Sequence, residues 1–343
     1  MNRFGVCVAA LAAGLSMVSA LPRAARAAGS IPPYTLVGSF PLSASAWDIT
    51  ADGRVMRIVG DTLSVQDAPN APTYSPIGSV APGLVSPFGA SFLRIAPDGF
   101  RVAIGDNNFG PGASVLIANT ASALPGPVPT VSIASPNTDA AWADNQTLYV
   151  SGYGSGSELN RLDTAALTSQ TVISGIGEGS GGVAIRAGLL YTGIGFDFGA
   201  ATGDIRAFSL AALASAAAPV AFSTGTFTTN ALSASSLGFD PFGNLLVGGG
   251  DFFSGSPDFG YATVIDTASP LQARLQLSPA GPSAFYGIRF NTATDELLVV
   301  ADGTAYRYAI PAPGAAVALA FLVPLAARRR RTPRTPRTGG VSC

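Results

Sequence analysis

From Trp47 to Asp302, short apolar runs alternate with turn residues, and one phrase returns six times. Its clearest copy spans Phe92 to Asp106: an apolar run, the dipeptide Asp98-Gly99, then a second apolar run ending in Gly105-Asp106. Trp47 to Asp61 and Leu237 to Asp251 repeat it closely, and Ala141 to Gly152, Val183 to Gly195 and Ile288 to Asp302 repeat it loosely. Asp-Gly between alternating apolar runs is a strong hairpin signal, because both residues tolerate the turn's positive φ. A second phrase follows, an apolar run closing on Asn119-Thr-Ala, Asp163-Thr-Ala or Asp266-Thr-Ala, with Ile205 to Ala211 as a degenerate copy. It predicts a third strand, a polar turn and a fourth strand, such as Thr130 to Ile133 or Thr171 to Ser174.

The turn-to-turn period is 46 residues from Asp52 to Asp98 and again from Asp98 to Asp144; later units are longer. Four short antiparallel strands per repeat of this length make a propeller blade. The last unit has three strands, Gly287 to Phe290, Leu297 to Ala301 and Ala305 to Ile310. Tyr34 to Phe40 is a spare strand ahead of the first unit. The fold expected is therefore an all-β, six-bladed β-propeller closed by pairing the N-terminal strand with the last blade, which removes an exposed edge. A sandwich or a β-solenoid is the competing architecture.

The two ends read differently. Arg3, the apolar Val6 to Leu21 and the small-residue site Ala25-Arg26-Ala27 make residues 1–27 a secretory signal peptide. At the other end, Pro311-Ala312-Pro313-Gly314 precedes an apolar run from Ala315 to Ala327 and then Arg328, Arg329, Arg330 and Arg331. Thirteen apolar residues fall short of the roughly 20 of a stable span, which suits temporary residence in the inner membrane. This order resembles the PEP-CTERM sorting signal in its planctomycete-like Pro-Ala-Pro variant. Ala312 stands where the motif's Glu would be, and a Thr-Pro-Arg tail follows the arginines. The resemblance implies recognition by an exosortase-like membrane protease, cleavage near Pro311 to Gly314 with removal of the tail, and delivery to the cell surface or extracellular matrix. A permanent tail anchor is the alternative. The central repeats, residues 28–310, are similar to YVTN and NHL-like bacterial propellers, from which no residue is carried over.

Setting the ends aside changes the charge. Nine of the nineteen arginines lie there, whereas all twenty acids lie between Asp48 and Asp302. Ten arginines against twenty acids leave residues 28–310 at −10, with no lysine. Such a domain has too little positive charge to neutralise phosphates, which argues against nucleic acid. Cys7 and Cys343 lie in the ends and the chain has no histidine. Disulfides, thiol nucleophiles, thiolate or imidazole zinc sites and a Ser-His-Asp triad are thereby excluded from 28–310.

Five aspartates, Asp61, Asp106, Asp197, Asp251 and Asp302, stand at or just after the ends of second strands. In a propeller these positions share one face. Carboxylates beside backbone carbonyls would suit Ca²⁺. The plainer reading is that each aspartate caps its own turn. Phe109, Tyr153, Phe196, Phe252, Phe253 and Phe259 in the neighbouring loops are candidate sugar platforms or interblade packing, and Trp47 and Trp142 are candidate core. Only Glu158, Glu178 and Glu296 are available as glutamate catalysts, at no telling spacing. The function expected is a secreted or surface-attached, non-enzymatic propeller that binds a matrix polysaccharide, a surface protein or a cation. A carboxylate-dependent polysaccharide hydrolase or lyase, and an architectural protein without small ligand, are the alternatives.

Overall fold

The computed structural model describes residues 31–80, 84, 89–108, 113–121, 124, 128–133, 136–153, 157–177, 179–195, 203–231, 233–250, 260–269, 272–281 and 287–311. The leader, the sorting segment beyond Pro311 and the candidates Asp197 and Asp251 lie outside these residues. The described strands form six sheets. Their innermost strands are Ala46–Ile49, Ala90–Ile95, Asn137–Trp142, Ser180–Arg186, Ser236–Phe239 and Gly287–Asn291. Each innermost strand neighbours that of the next sheet, and the sixth neighbours the first. The chain is a six-bladed β-propeller.

Ring closure follows the expected route. Thr35–Pro41 pairs antiparallel with Thr304–Ala309 as the outermost strand of blade 6, with a bulge between Leu36 and Gly38. The second strands read as mostly apolar runs because most of their residues are buried on both faces. In blade 3, Leu148 and Val150 pack towards blade 2 while Tyr149 packs towards blade 4. In blade 5, Leu245 and Val247 face blade 4 and Leu246 faces blade 6. The core is accordingly divided into six apolar clusters, one in each gap between neighbouring blades. Each fully buried Leu, Ile or Val contributes about 1.5–3 kcal/mol.

The recurring turn phrases have identifiable jobs. Asp163 Oδ1 accepts the N–H groups of Ala165 and Ala166, Asp266 Oδ1 that of Ala268, and Asn119 Oδ1 that of Ala121. The degenerate fourth copy lacks this side chain. There Ser209 instead caps a short helix, Leu210–Ser215, through the N–H of Ala212. The excursion continues to Val220–Ala221, which pairs parallel with the outer strand of blade 3 and covers its edge. Asp302 and Gly303, at φ 50° and 72°, form a two-residue turn between the paired Ala301 and Thr304. Positive φ at both central positions is what a type I′ hairpin demands.

Deleting residues 31–41 should strip Thr304–Ala309 of its outer partner. In hydrogen exchange, the strand's amides that face Thr35–Pro41 should lose protection and the melting temperature should fall. Retained protection in that strand would argue against closure by the N-terminus.

The hairpin turns also respond to acid. Asp98 Oδ1 accepts the N–H groups of Phe100 and Arg101, and Asp144 Oδ1 those of Gln146 and Thr147. Burial pushes both carboxyls up, but the backbone N–H groups and the Arg101 charge outweigh it and leave both below the ordinary value. A depressed folded pKa stabilises the fold above the unfolded value and loses that contribution as pH falls through the folded one. Thermal stability should therefore decline from about pH 4 downwards. The double variant Asp98→Asn, Asp144→Asn, which keeps the acceptor oxygens without titrating, should show a shallower decline. An unchanged slope would show that these turns do not contribute.

Candidate functional site: the axial channel

Three innermost strands carry one charged residue between two apolar neighbours: Trp47-Asp48-Ile49, Leu93-Arg94-Ile95 and Ile288-Arg289-Phe290. Blade 3 adds Asp139, beside the bulge in Asn137–Trp142. The ring brings the four together at the axis. Arg94 Nη2 is hydrogen-bonded to Asp139 Oδ1, and Arg289 Nη2 lies 3.6 Å from the same oxygen. Arg289 Nε lies 4.0 Å from Asp48 Oδ1. Asp139 is only 2 % exposed, and its other oxygen accepts the N–H of Val183 in blade 4 at 3.1 Å. Asp48 Oδ2 accepts the N–H of Ile95 at 2.9 Å.

The guanidinium groups bind backbone as well. Arg94 donates to the carbonyls of Ala140 at 3.0 Å and Trp47 at 3.2 Å. Arg289 Nη1 donates to the Leu237 carbonyl and Ser236 Oγ, both at 2.8 Å. Between blades 4 and 5, the N–H of Gly182 donates to the Ala234 carbonyl. Burial, and then the like charge of Arg94, lower the Arg289 pKa to about 10, with Asp139 and Asp48 opposing the shift. Arg289 is still a cation at neutral pH, so the axis holds two positive and two negative charges.

A cavity of about 150 Å³ opens above this cluster. Ser45, Ser91, Thr138, Ser235 and Ser236 supply hydroxyls, Trp47 and Phe92 supply aromatic walls, and Arg94, Asp139 and Arg289 are also in the lining. Ser45, Ala46, Ser91, Thr138, Ser235, Ser236 and Gly287 stand at or beside the starts of innermost strands, so the cavity marks the face on which those strands begin. Gly287 packs directly on Trp47: a Cβ there would lie 2.9 Å from the indole.

The aspartates singled out from the sequence occupy the same face at a different radius. Asp61 and Asp302 are exposed in turns after second strands, and Asp106 is buried at the end of Arg101–Asp106. Asp61 accepts hydrogen bonds from Thr62 and Ser79 of its own blade. None of the three lines the cavity. Among the described residues no three His, Cys, Asp or Glu side chains come close enough to hold a metal ion. Tyr153 is half-buried, while Phe109, Phe196, Phe252, Phe253 and Phe259 lie outside the described residues, as does Glu178. Glu158 accepts from Thr171, and the buried Glu296 is held by Arg307 and Asn70. Trp142 donates its indole N–H to the Arg94 carbonyl at 2.9 Å, whereas Trp47 is part of the cavity wall. The four axial charges were not anticipated. Their signal was present as a lone charge inside an apolar innermost strand, but nothing local separates that from an exposed strand position.

No protein-family model matches the chain, and no curated protein matches it. Among solved structures, a chain of the "Crystal Structure of Mitotic Checkpoint Complex" superposes with a TM-score of 0.51 at 11% identity, covering 91% of this chain and 100% of that one. A chain of the "Structure of Dos1 propeller" superposes with a TM-score of 0.44 at 11% identity, covering 77% of this chain and 67% of that one. At such identity a likeness concerns the fold alone, and the propeller assignment rests on the six sheets and their closure.

Replacing Asp139 leaves two buried cations facing each other. Asp139→Asn should cost about 3–5 kcal/mol in denaturant unfolding, the usual loss when one partner of a buried pair is removed. Asp48→Asn should cost clearly less, because its ionic contact is 4.0 Å long. Equal costs would show that Asp139 is not the centre of the axial cluster.

Proposed function

We propose that the protein is an exported, surface-attached and non-enzymatic propeller that binds a matrix polysaccharide. The observation that carries the binding reading is the state of the axial carboxylates. Asp48 and Asp139 both lie close to arginine, and both accept backbone N–H groups. A hydrolase needs one carboxyl free to give a proton and another free to attack or to activate water. The hydroxyl-rich, aromatic-walled cavity offers the mixture of apolar surface and a few placed polar groups that small polar ligands use.

Attachment rests on the sequence of the two ends and is compatible with the chain path. Innermost strands run away from the cavity face, so third strands do too. Thr304–Ala309 therefore delivers Pro311 to the opposite face. A tail held at a surface would leave the cavity mouth pointing outward. Among the described residues no helix is long and apolar enough to cross a membrane, and the run from Ala315 to Ala327 lies outside them.

Two measurements test the reading. Intact mass of protein recovered from outside the cells should lack Ala315 to Cys343; finding Cys343 there would refute processing. A glycan array probed with that protein, with and without calcium, should retain it on polysaccharide. Release of new reducing ends from a retained glycan would instead favour the hydrolase.

A further inference from the structure

We infer that the axial cavity is a subsite for one uncharged sugar ring at the end of a glycan chain. This inference rests on the polysaccharide-binding reading and narrows it. Size is the first argument. An apolar cavity of about 150 Å³ holds one benzene, so this open cavity of about 150 Å³ has room for one ring at most. Here five hydroxyl residues from four blades border the cavity; Ser45, Ser91, Thr138 and Ser235 donate their protons inside the protein, so their oxygens can accept from a ring that carries hydroxyls itself.

Charge is the second argument. Arg94 and Arg289 are balanced by Asp48 and Asp139. A cation entering the cavity meets two guanidinium groups, and an anion meets the Asp139 carboxylate, with Asp48 outside the lining but close enough to offset the charge of Arg289. A neutral polyol meets donors and acceptors side by side and brings in no unpaired charge.

Unused hydrogen-bonding capacity is the third argument. Among the described residues the Trp47 indole N–H has no partner. Ser236 Oγ accepts from the Ile288 N–H at 3.4 Å and from Arg289 Nη1 at 2.8 Å, which leaves its own proton to donate. Arg289 Nε and Nη2 make only the contacts of 4.0 and 3.6 Å, too long for direct hydrogen bonds. These donors belong to blades 1, 5 and 6 and line one cavity. A ring placed among them meets indole N–H, hydroxyl and guanidinium together. Phe92 and the indole give its C–H face an apolar wall.

The test uses the full protein as recovered from outside the cells, with Trp47→Phe and Ser236→Ala variants. Circular dichroism and melting temperature establish that each variant is folded. The probes are the array glycans and the methyl glycosides of glucose, galactose, mannose and glucuronic acid. A neutral methyl glycoside should compete with the retained glycan, and each variant should weaken binding by about tenfold, the effect of one lost hydrogen bond. Neutral glycosides should outcompete the uronic acid. If the protein retains a glycan and both folded variants bind it unchanged, the subsite is wrong and the polysaccharide reading survives. Preference for the uronic acid would overturn the charge argument. Methyl glycoside binding without any array retention would keep the subsite and refute the matrix polysaccharide. Absence of both would refute both. Should Trp47→Phe not fold, Ser236→Ala carries the test alone.

Discussion

Asp139 fastens the ring at its axis. One nearly inaccessible carboxylate takes Arg94 from blade 2, the backbone of Val183 from blade 4 and the charge of Arg289 from blade 6. Apolar packing in the six gaps fixes how neighbouring blades lie against each other, yet it reaches only pairwise. The charged knot links blades that share no gap. A buried ion pair is weak evidence for net stability, since desolvation offsets much of the attraction. Its role here is better seen as geometric: it sets which strands face the axis, and so what the cavity is made of.

Much of the architecture was legible because its determinants are local. The 46-residue spacing, the Asp-Gly turns and the Asp-Thr-Ala phrase each act over a few residues. Asp163 and Asp266 capping their own turns show why the phrase recurs. The spare strand was legible as well, because a three-stranded last unit has an unmet edge. The helix Leu210–Ser215 was not. It appears where Ser209 replaces the turn-forming Asp and an Ala-Leu-rich stretch follows, so helix propensity prevails over the repeat. Of the candidate site, the common face of Asp61, Asp106 and Asp302 could be read from strand order. The axial knot could not, because its members lie up to 241 positions apart, from Asp48 to Arg289, and meet only when the ring shuts.

The distribution of charge has a similar origin. All ten arginines of residues 28–310 donate hydrogen bonds inside the domain, to carboxylates, to carbonyls or to hydroxyls. Cations are thereby withdrawn from surface duty. The acids outnumber them two to one, and many cap exposed turns, so the surface is left acidic. The net charge of the fold thus follows from its turn chemistry as much as from any partner.

The way the last blade is assembled also determines how the molecule bears load. Thr304–Ala309, the strand that leads out at Pro311, lies between Glu296–Ala301 on one side and Thr35–Pro41 on the other. A pull on the chain beyond Pro311 acts along that strand and strains both ladders in shear. Their hydrogen bonds must then fail together, whereas an edge strand peeled sideways loses them one at a time. A propeller sealed in this manner resists a pull applied through its C-terminal strand better than one applied across an open edge.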